Sequence, residues 1–99
     1  MDYKVVLAPL ALDDLEEIVR HVAADDPAAA ERLGTRLLDL AETLCRLPHR
    51  GGPVRRRPGV RKLLLRPYLI FYRVQDAERR IEILRFWHGA QDLACLKLD

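Results

Sequence analysis

The chain has 99 residues, 49% of them hydrophobic, enough for one compact domain spanning 1–99 that buries roughly 60–70% of its unfolded surface and too few for a second. No apolar run approaches the roughly 20 residues of a membrane helix, and Met1-Asp2-Tyr3-Lys4 lacks the layout of a signal peptide, so a cytoplasmic protein with no membrane partner is expected. The net charge of +2 conceals a split: residues 1–45 carry four Lys/Arg against ten Asp/Glu, residues 46–75 nine against none, and residues 76–99 four against five; a basic middle of that kind calls for an anionic partner, either nucleic acid or acidic protein.

Tyr3-Lys4-Val5-Val6-Leu7 is short, β-branched and closed by Pro9, which predicts a first strand. Leu12, Leu15, Ile18, Val19 and Val22 then recur at three- and four-residue spacing and predict an amphipathic helix, with Asp13, Asp14, Glu16 and Glu17 near the positive end of its dipole. Asp26-Pro27 offers a capping carboxylate and a proline for the first helical position; Ala29, Leu33, Leu37, Leu40, Leu44 and Leu47 continue one stripe to about Pro48. So short a connection predicts an antiparallel helix hairpin. Gly34 costs about 1 kcal/mol in mid-helix, and close approach of the two helices is the compensation expected there.

From His49 to Gly59, prolines and glycines interrupt any periodicity and predict a loop, which carries Arg50, Arg55, Arg56 and Arg57. Beyond Gly59 the pattern turns to strands: Val60 to Leu65, a turn at Arg66-Pro67, Tyr68 to Val74, a turn over Gln75 to Glu78, and Arg79 to Trp87. Short connections make these an antiparallel meander. Tyr68 to Tyr72 is apolar on both faces, which puts that strand in the centre, and Tyr68 and Tyr72 share one face by the two-residue period. The expected fold is α+β, in the order β-α-α-β-β-β, with the helix hairpin packed on an antiparallel sheet.

Cys45 lies in a helical apolar pattern, where a free thiol is the commoner state, so both it and Cys95 are expected unpaired. His21, His49 and His88 show no metal-ligand spacing, and no metal or other cofactor is expected; His21 and His49 read as structural.

Three segments carry a family resemblance: Arg57-Pro58-Gly59-Val60-Arg61, Tyr68-Leu69-Ile70-Phe71-Tyr72-Arg73-Val74, and Ile83-Leu84-Arg85-Phe86-Trp87-His88-Gly89-Ala90-Gln91-Asp92. Together with Leu12 to Ile18 they resemble the RelE/ParE toxins of bacterial type II toxin-antitoxin systems, and most closely the ParE-type branch. Within that branch an arginine is common at the position of Gln91. The resemblance implies growth inhibition, a role in plasmid stabilisation, and a hetero-oligomer with a cognate, ParD-like antitoxin. It also implies one of two targets, DNA gyrase for the ParE type or messenger RNA on the ribosome for the RelE type.

Cleaving RNA through its ribose 2′-hydroxyl needs a proton acceptor, a cationic stabiliser and a proton donor. On that alternative the catalytic candidates are Arg61, Arg73, Arg85 and His88. Three departures favour gyrase inhibition, with no catalytic residues expected. Leu69 stands where the nucleases typically place an arginine after the tyrosine; residues 46–75 hold no carboxylate base; and no tyrosine follows His88. Candidates for target or antitoxin binding are Arg55, Arg56, Arg57, Arg61, Arg66, Arg73, Arg85, Trp87 and His88. Beside that reading, the arginines of the loop equally describe a solvated surface, Trp87 core packing against the helices, and His88 a structural hydrogen-bonding group. A third possibility is a non-toxic nucleic-acid-binding module or a degenerate toxin, disfavoured by 6% aromatic content.

Overall fold

A computed structural model describes residues 2–98. The elements are β1 (Lys4–Leu7), α1 (Pro9–Ala23), α2 (Pro27–Glu42), β2 (Gly52–Pro53), β3 (Val60–Leu65), β4 (Tyr68–Gln75) and β5 (Arg80–His88). Asp26 caps α2, its carboxylate accepting the Ala29 N–H at 3.1 Å, with Pro27 at the first helical position. The helices fold back as the hairpin the spacing predicts. Gly34 faces α1 so closely that a Cβ there would lie 3.2 Å from Val19 Cγ2. The regular part of α2 ends at Glu42 and tightens into a single 3-10 turn, Thr43–Cys45. Leu47, predicted to continue the stripe, is therefore exposed.

The sheet order is β1-β5-β4-β3-β2, so β4 is central as its two-sided apolarity requires. The meander β3-β4-β5 is antiparallel as expected. The sheet is nevertheless mixed: β1 pairs in parallel with β5, with Lys4 opposite Arg80 and Leu7 opposite Ile83. The first strand leaves into a helix hairpin that crosses one face of the sheet and returns the chain to the far edge, which sets its direction. A short strand, Gly52–Pro53, lies inside the predicted loop and pairs with Lys62 and Arg61.

Two apolar clusters separate the faces. On the helix side, Leu15, Leu37, Leu44, Leu63, Ile70, Tyr72, Ile81, Ile83 and Phe86 form the main core, with Tyr68 on the same face as Tyr72. On the opposite face, Val60, Phe71, Leu84, Trp87 and Leu96 form a second cluster, flanked by Val54, Leu69 and Leu98. Trp87 thus packs on the face away from the helices, against the C-terminal segment, and not in the core beneath the helices, the alternative to a binding role. Cys45 and Cys95 are free, the first half-buried and the second exposed. No described helix is long and apolar enough to cross a membrane.

Candidate functional site

A polar anchor fixes the start of the basic loop to the sheet. The Tyr72 hydroxyl, fully buried, accepts the backbone N–H of Gly51 at 2.8 Å. Arg61 completes the anchor by donating to the Gly51 carbonyl at 2.7 Å and to the His49 carbonyl at 3.4 Å. Its guanidinium is occupied in holding the loop, a role the sequence does not disclose. From this anchor the chain runs through β2 into the turn Val54–Gly59, where Val54 N–H donates to Val60 O at 3.0 Å and Arg56 adopts a left-handed φ of 64°. Arg55 and Arg56 are exposed and, like Arg66, make no hydrogen bond or ion pair among the described residues. They are free cations on this surface.

Burial raises the Tyr72 hydroxyl above its usual 10.0, against the opposing effects of the Gly51 N–H and the Arg61 and Arg50 charges. A folded pKa above the unfolded one gives a contribution that is fully present below pH 10.0 and is lost as pH rises through the raised folded value. In alkaline titrations followed by circular dichroism, the wild type is expected to lose stability more steeply than Tyr72→Phe as pH rises above 10.0. Parallel curves would contradict the assignment.

At the other end of the sheet, β5 outlasts β1. The register slips between Phe71 and Tyr72 of β4, so that Phe71 faces Arg85 and Tyr72 faces Ile83, leaving Leu84 as the extra residue of a β-bulge. Bulges re-aim side chains, and here Arg85 reaches round the open edge. It forms a bidentate pair with Asp14 of α1, Nε to Oδ2 at 2.6 Å and Nη2 to Oδ1 at 2.8 Å, with both side chains only 14% exposed. Asp14 also accepts the Phe86 N–H at 3.1 Å and so satisfies an amide that β1 no longer reaches. The Asp14 hydrogen bonds hold Arg85 protonated more firmly than an ordinary arginine, outweighing burial. Asp14 was expected to serve the dipole of α1; α1 starts at Pro9, its first turn holds no acid, and the carboxylate works across the fold instead.

Arg85 faces the other way as well. Its Nη1 donates to Lys97 O at 2.5 Å, and its guanidinium lies 5.2 Å from the Trp87 ring. Arg57 donates to Leu96 O at 2.8 Å. Arg73 is paired with Glu82 at 3.9 Å on the partly exposed face opposite the helices. His88 is oriented by its neighbours: its Nδ1 accepts the Ala90 N–H at 3.0 Å and its ring meets Tyr68 edge-on at 5.3 Å. With Tyr68 and Arg85 it lines a cleft of about 550 Å³ shared with Glu17, Arg20 and His21 of α1. His21 and His49 are both exposed, and among the described residues their rings make no hydrogen bond.

The predicted residues therefore fall into separate groups. Arg57, Arg85 and Trp87 meet at the C-terminal segment, and Arg85 and Trp87 also line the cleft beside α1 with His88; Arg61 belongs to the loop anchor and Arg73 to Glu82. Asp14, Gly51, Tyr72, Gln91 and Leu96 were not among the predicted site residues, although Gln91 accepts from both the Trp87 indole and the His88 backbone N–H. Leu96 and Leu98 carry the one sequence signal available, an alternating apolar pair in a short tail. Among the described residues, no group of three or more His, Cys, Asp or Glu is placed to hold a metal ion.

Residues 5–93 match the family model of the ParE toxin of the type II toxin-antitoxin system, parDE. This chain belongs to the ParE toxin family. It is 37% identical over 83 residues to a Sinorhizobium fredii protein assigned as toxin Y4kP, covering 82% of each chain. Its fold resembles that of a chain of the chromosomal ParDE system from P. aeruginosa, with a TM-score of 0.75 and 27% identity over 87% of this chain and 95% of that one. The toxin-antitoxin complex RelBE2 of Mycobacterium tuberculosis contains a chain with a TM-score of 0.70 and 27% identity, over 89% and 99% of the two chains. Isolated E. coli RelE, at 18% identity and a TM-score of 0.60, shares the fold over 93% of this chain and 89% of its own.

Proposed function

We propose that this toxin acts in the cytoplasm as an inhibitor of DNA gyrase, by surface recognition and without a catalytic step, and that a cognate antitoxin neutralises it. The observation that carries the reading is how the cationic candidates are used. Cleaving a ribose-phosphate link requires cations and an acid-base pair converging on one phosphate with free hydrogen-bonding capacity. In this fold Arg61 is tied by hydrogen bonds to loop carbonyls and Arg85 to Asp14 and Lys97 O, while Arg73 stands apart from them in a 3.9 Å ion pair with Glu82 on the face opposite the helices. Leu69 adds an apolar side chain where the face opposite the helices would need another cation.

A binding role asks less of these groups. The free cations Arg55 and Arg56 stand on a rigidly mounted turn, suited to an acidic surface of a protein target or to DNA held by one. The antitoxin reading draws support from the two solved relatives, which are themselves parts of ParDE and RelBE2 toxin-antitoxin systems.

The test is a pair of assays on antitoxin-free toxin: supercoiling by purified gyrase, and cleavage of message on programmed ribosomes. Loss of supercoiling with intact message is the expected result; cleaved message with active gyrase overturns the proposal. The double variant Arg55→Glu/Arg56→Glu is expected to weaken gyrase inhibition about tenfold or more, since rim charges govern encounter with a charged target. Its stability should stay within about 0.5 kcal/mol of wild type, as for exposed substitutions generally. Undiminished inhibition would remove the turn from the target surface.

A further inference from the structure

The cleft between α1 and the end of β5 carries polar groups that the fold itself does not use. Its volume is about 550 Å³, within the roughly 300–1,000 Å³ of clefts that take small molecules. One wall is a single face of α1, because Asp14, Glu17, Ile18 and His21 recur at spacings of three and four. The Asp14 carboxylate is matched by the Arg85 guanidinium, so that pair brings no net charge to the cleft. Glu17 and Arg20 are exposed and make no ion pair among the described residues.

The opposite wall is rich in donors held in place by the backbone. Tyr68 is only 8% exposed, yet among the described residues its hydroxyl has no hydrogen-bond partner. Every buried side-chain nitrogen or oxygen there does have one, so this hydroxyl is not sealed in the core and opens on the cleft that Tyr68 lines. A buried tyrosine ordinarily finds a partner for its O–H. His88 Nδ1 accepts the Ala90 N–H, which puts the ring proton of the neutral imidazole on Nε2 and makes that atom a donor. Gln91 Oε1 accepts the His88 backbone N–H, which leaves its amide nitrogen as a second donor.

We propose that this cleft binds a small aromatic carboxylate. The Tyr68 hydroxyl, His88 Nε2–H and Gln91 amide donate to its two oxygens, and the Arg20 guanidinium supplies the charge, since hydrogen bonds to an ionised acceptor are about twice as strong as neutral ones. Ile18 and Phe86 give the apolar surface for the ring. One guanidinium among otherwise neutral donors suits a single negative charge better than the double charge of a phosphate. Glu17, the one lining acid without a partner among the described residues, opposes the ligand from the rim. The site is independent of the gyrase reading, because it uses neither Arg55 nor Arg56.

The experiment titrates the full-length toxin with 2-naphthylacetate, and with 2-naphthylacetamide as its uncharged counterpart, followed by calorimetry and by proton–nitrogen NMR. The acid is expected to bind saturably at one site, with a Kd on the order of 1 mM or tighter for a ligand of this size. Amide signals of residues 17–21, Tyr68, His88 and Gln91 should shift together along one binding curve. The amide counterpart should bind about tenfold more weakly or not at all. Tyr68→Phe removes a hydroxyl that holds nothing in the free protein, so it should melt with wild type while binding the acid about three- to tenfold more weakly. Glu17→Gln, at an exposed position, should bind it about twofold tighter or more. The absence of saturable binding, equal binding of acid and amide, or shifts confined to the Arg55–Arg56 turn overturns the proposal. So does wild-type affinity in both variants.

Discussion

Replacing Gly51 by alanine is expected to destabilise the protein by about 3 kcal/mol or more, the largest effect of any small substitution outside the core. A Cβ at this position would fall 2.6 Å from the Lys62 carbonyl and 2.7 Å from both Cε1 and the hydroxyl of Tyr72. None of these atoms can yield: the carbonyl belongs to the strand that pairs with β2, and Tyr72 is fully buried. Overpacking a closed site costs about 1–3 kcal/mol and occasionally more, and here the same displacement breaks the Gly51 N–H to Tyr72 hydrogen bond, worth about another 1 kcal/mol. For a domain of this size the thermal midpoint should fall by roughly 12 °C or more. Gly52 is the control, because a Cβ there meets nothing within 4 Å; its alanine variant should unfold near the wild-type temperature. If both variants melt alike, the loop is not anchored as described.

Asp14→Ala is expected to cost about 2–4 kcal/mol. The substitution strands Arg85, 14% exposed, without its bidentate partner and leaves the Phe86 N–H without an acceptor. Losing one member of a buried pair costs about 3–5 kcal/mol, reduced here because the site keeps some contact with water. Arg85→Ala should be destabilising as well, since it exposes the carboxylate to the same imbalance and releases the Lys97 carbonyl. The double variant is the decisive measurement. Residues in direct contact couple by about 0.5–3 kcal/mol, so the double variant should be more stable than the sum of the single losses implies. Denaturant titrations that show strict additivity would mean that the pair does not join α1 to β5. Arg85→Lys should rescue only in part, because an ammonium cannot reproduce a two-pronged contact.

Both predictions concern residues that periodicity treats as ordinary. Asp14 reads as one of four acids on an amphipathic helix, and its partner lies 71 positions away. Nothing local distinguishes it from Asp13. Gly51 sits in a stretch already assigned to a loop by its glycines and prolines, yet it is the tight contact and Gly52 is not. The difference depends on which glycine comes to lie over Tyr72. Arg61 illustrates the same limit: its place in a basic run suggested target contact, while two loop carbonyls use its guanidinium.

Much of the architecture was legible nonetheless. The stripe of Leu15, Ile18 and Val19, the Asp26-Pro27 start signal and the two-sided apolar run from Tyr68 to Tyr72 each encode their structure locally, through hydrogen-bonding chemistry and side-chain period. The family resemblance was carried by contiguous segments and could be read the same way. The short strand Gly52–Pro53 and the parallel pairing of β1 were not, because strand direction and edge pairing depend on the return path of the chain across the sheet.

By itself, then, the amino-acid sequence determined the elements, their order, the uneven charge and the toxin family, all of which are properties of neighbouring residues. Only the tertiary structure decided which arginines are spoken for: Arg61 by the loop, Arg73 by Glu82, Arg85 by Asp14 and the tail. It also decided that Leu96 covers Trp87. Those outcomes come from contacts between distant parts of the chain, and the β-bulge that turns Arg85 toward Asp14 exists only once β4 and β5 have paired.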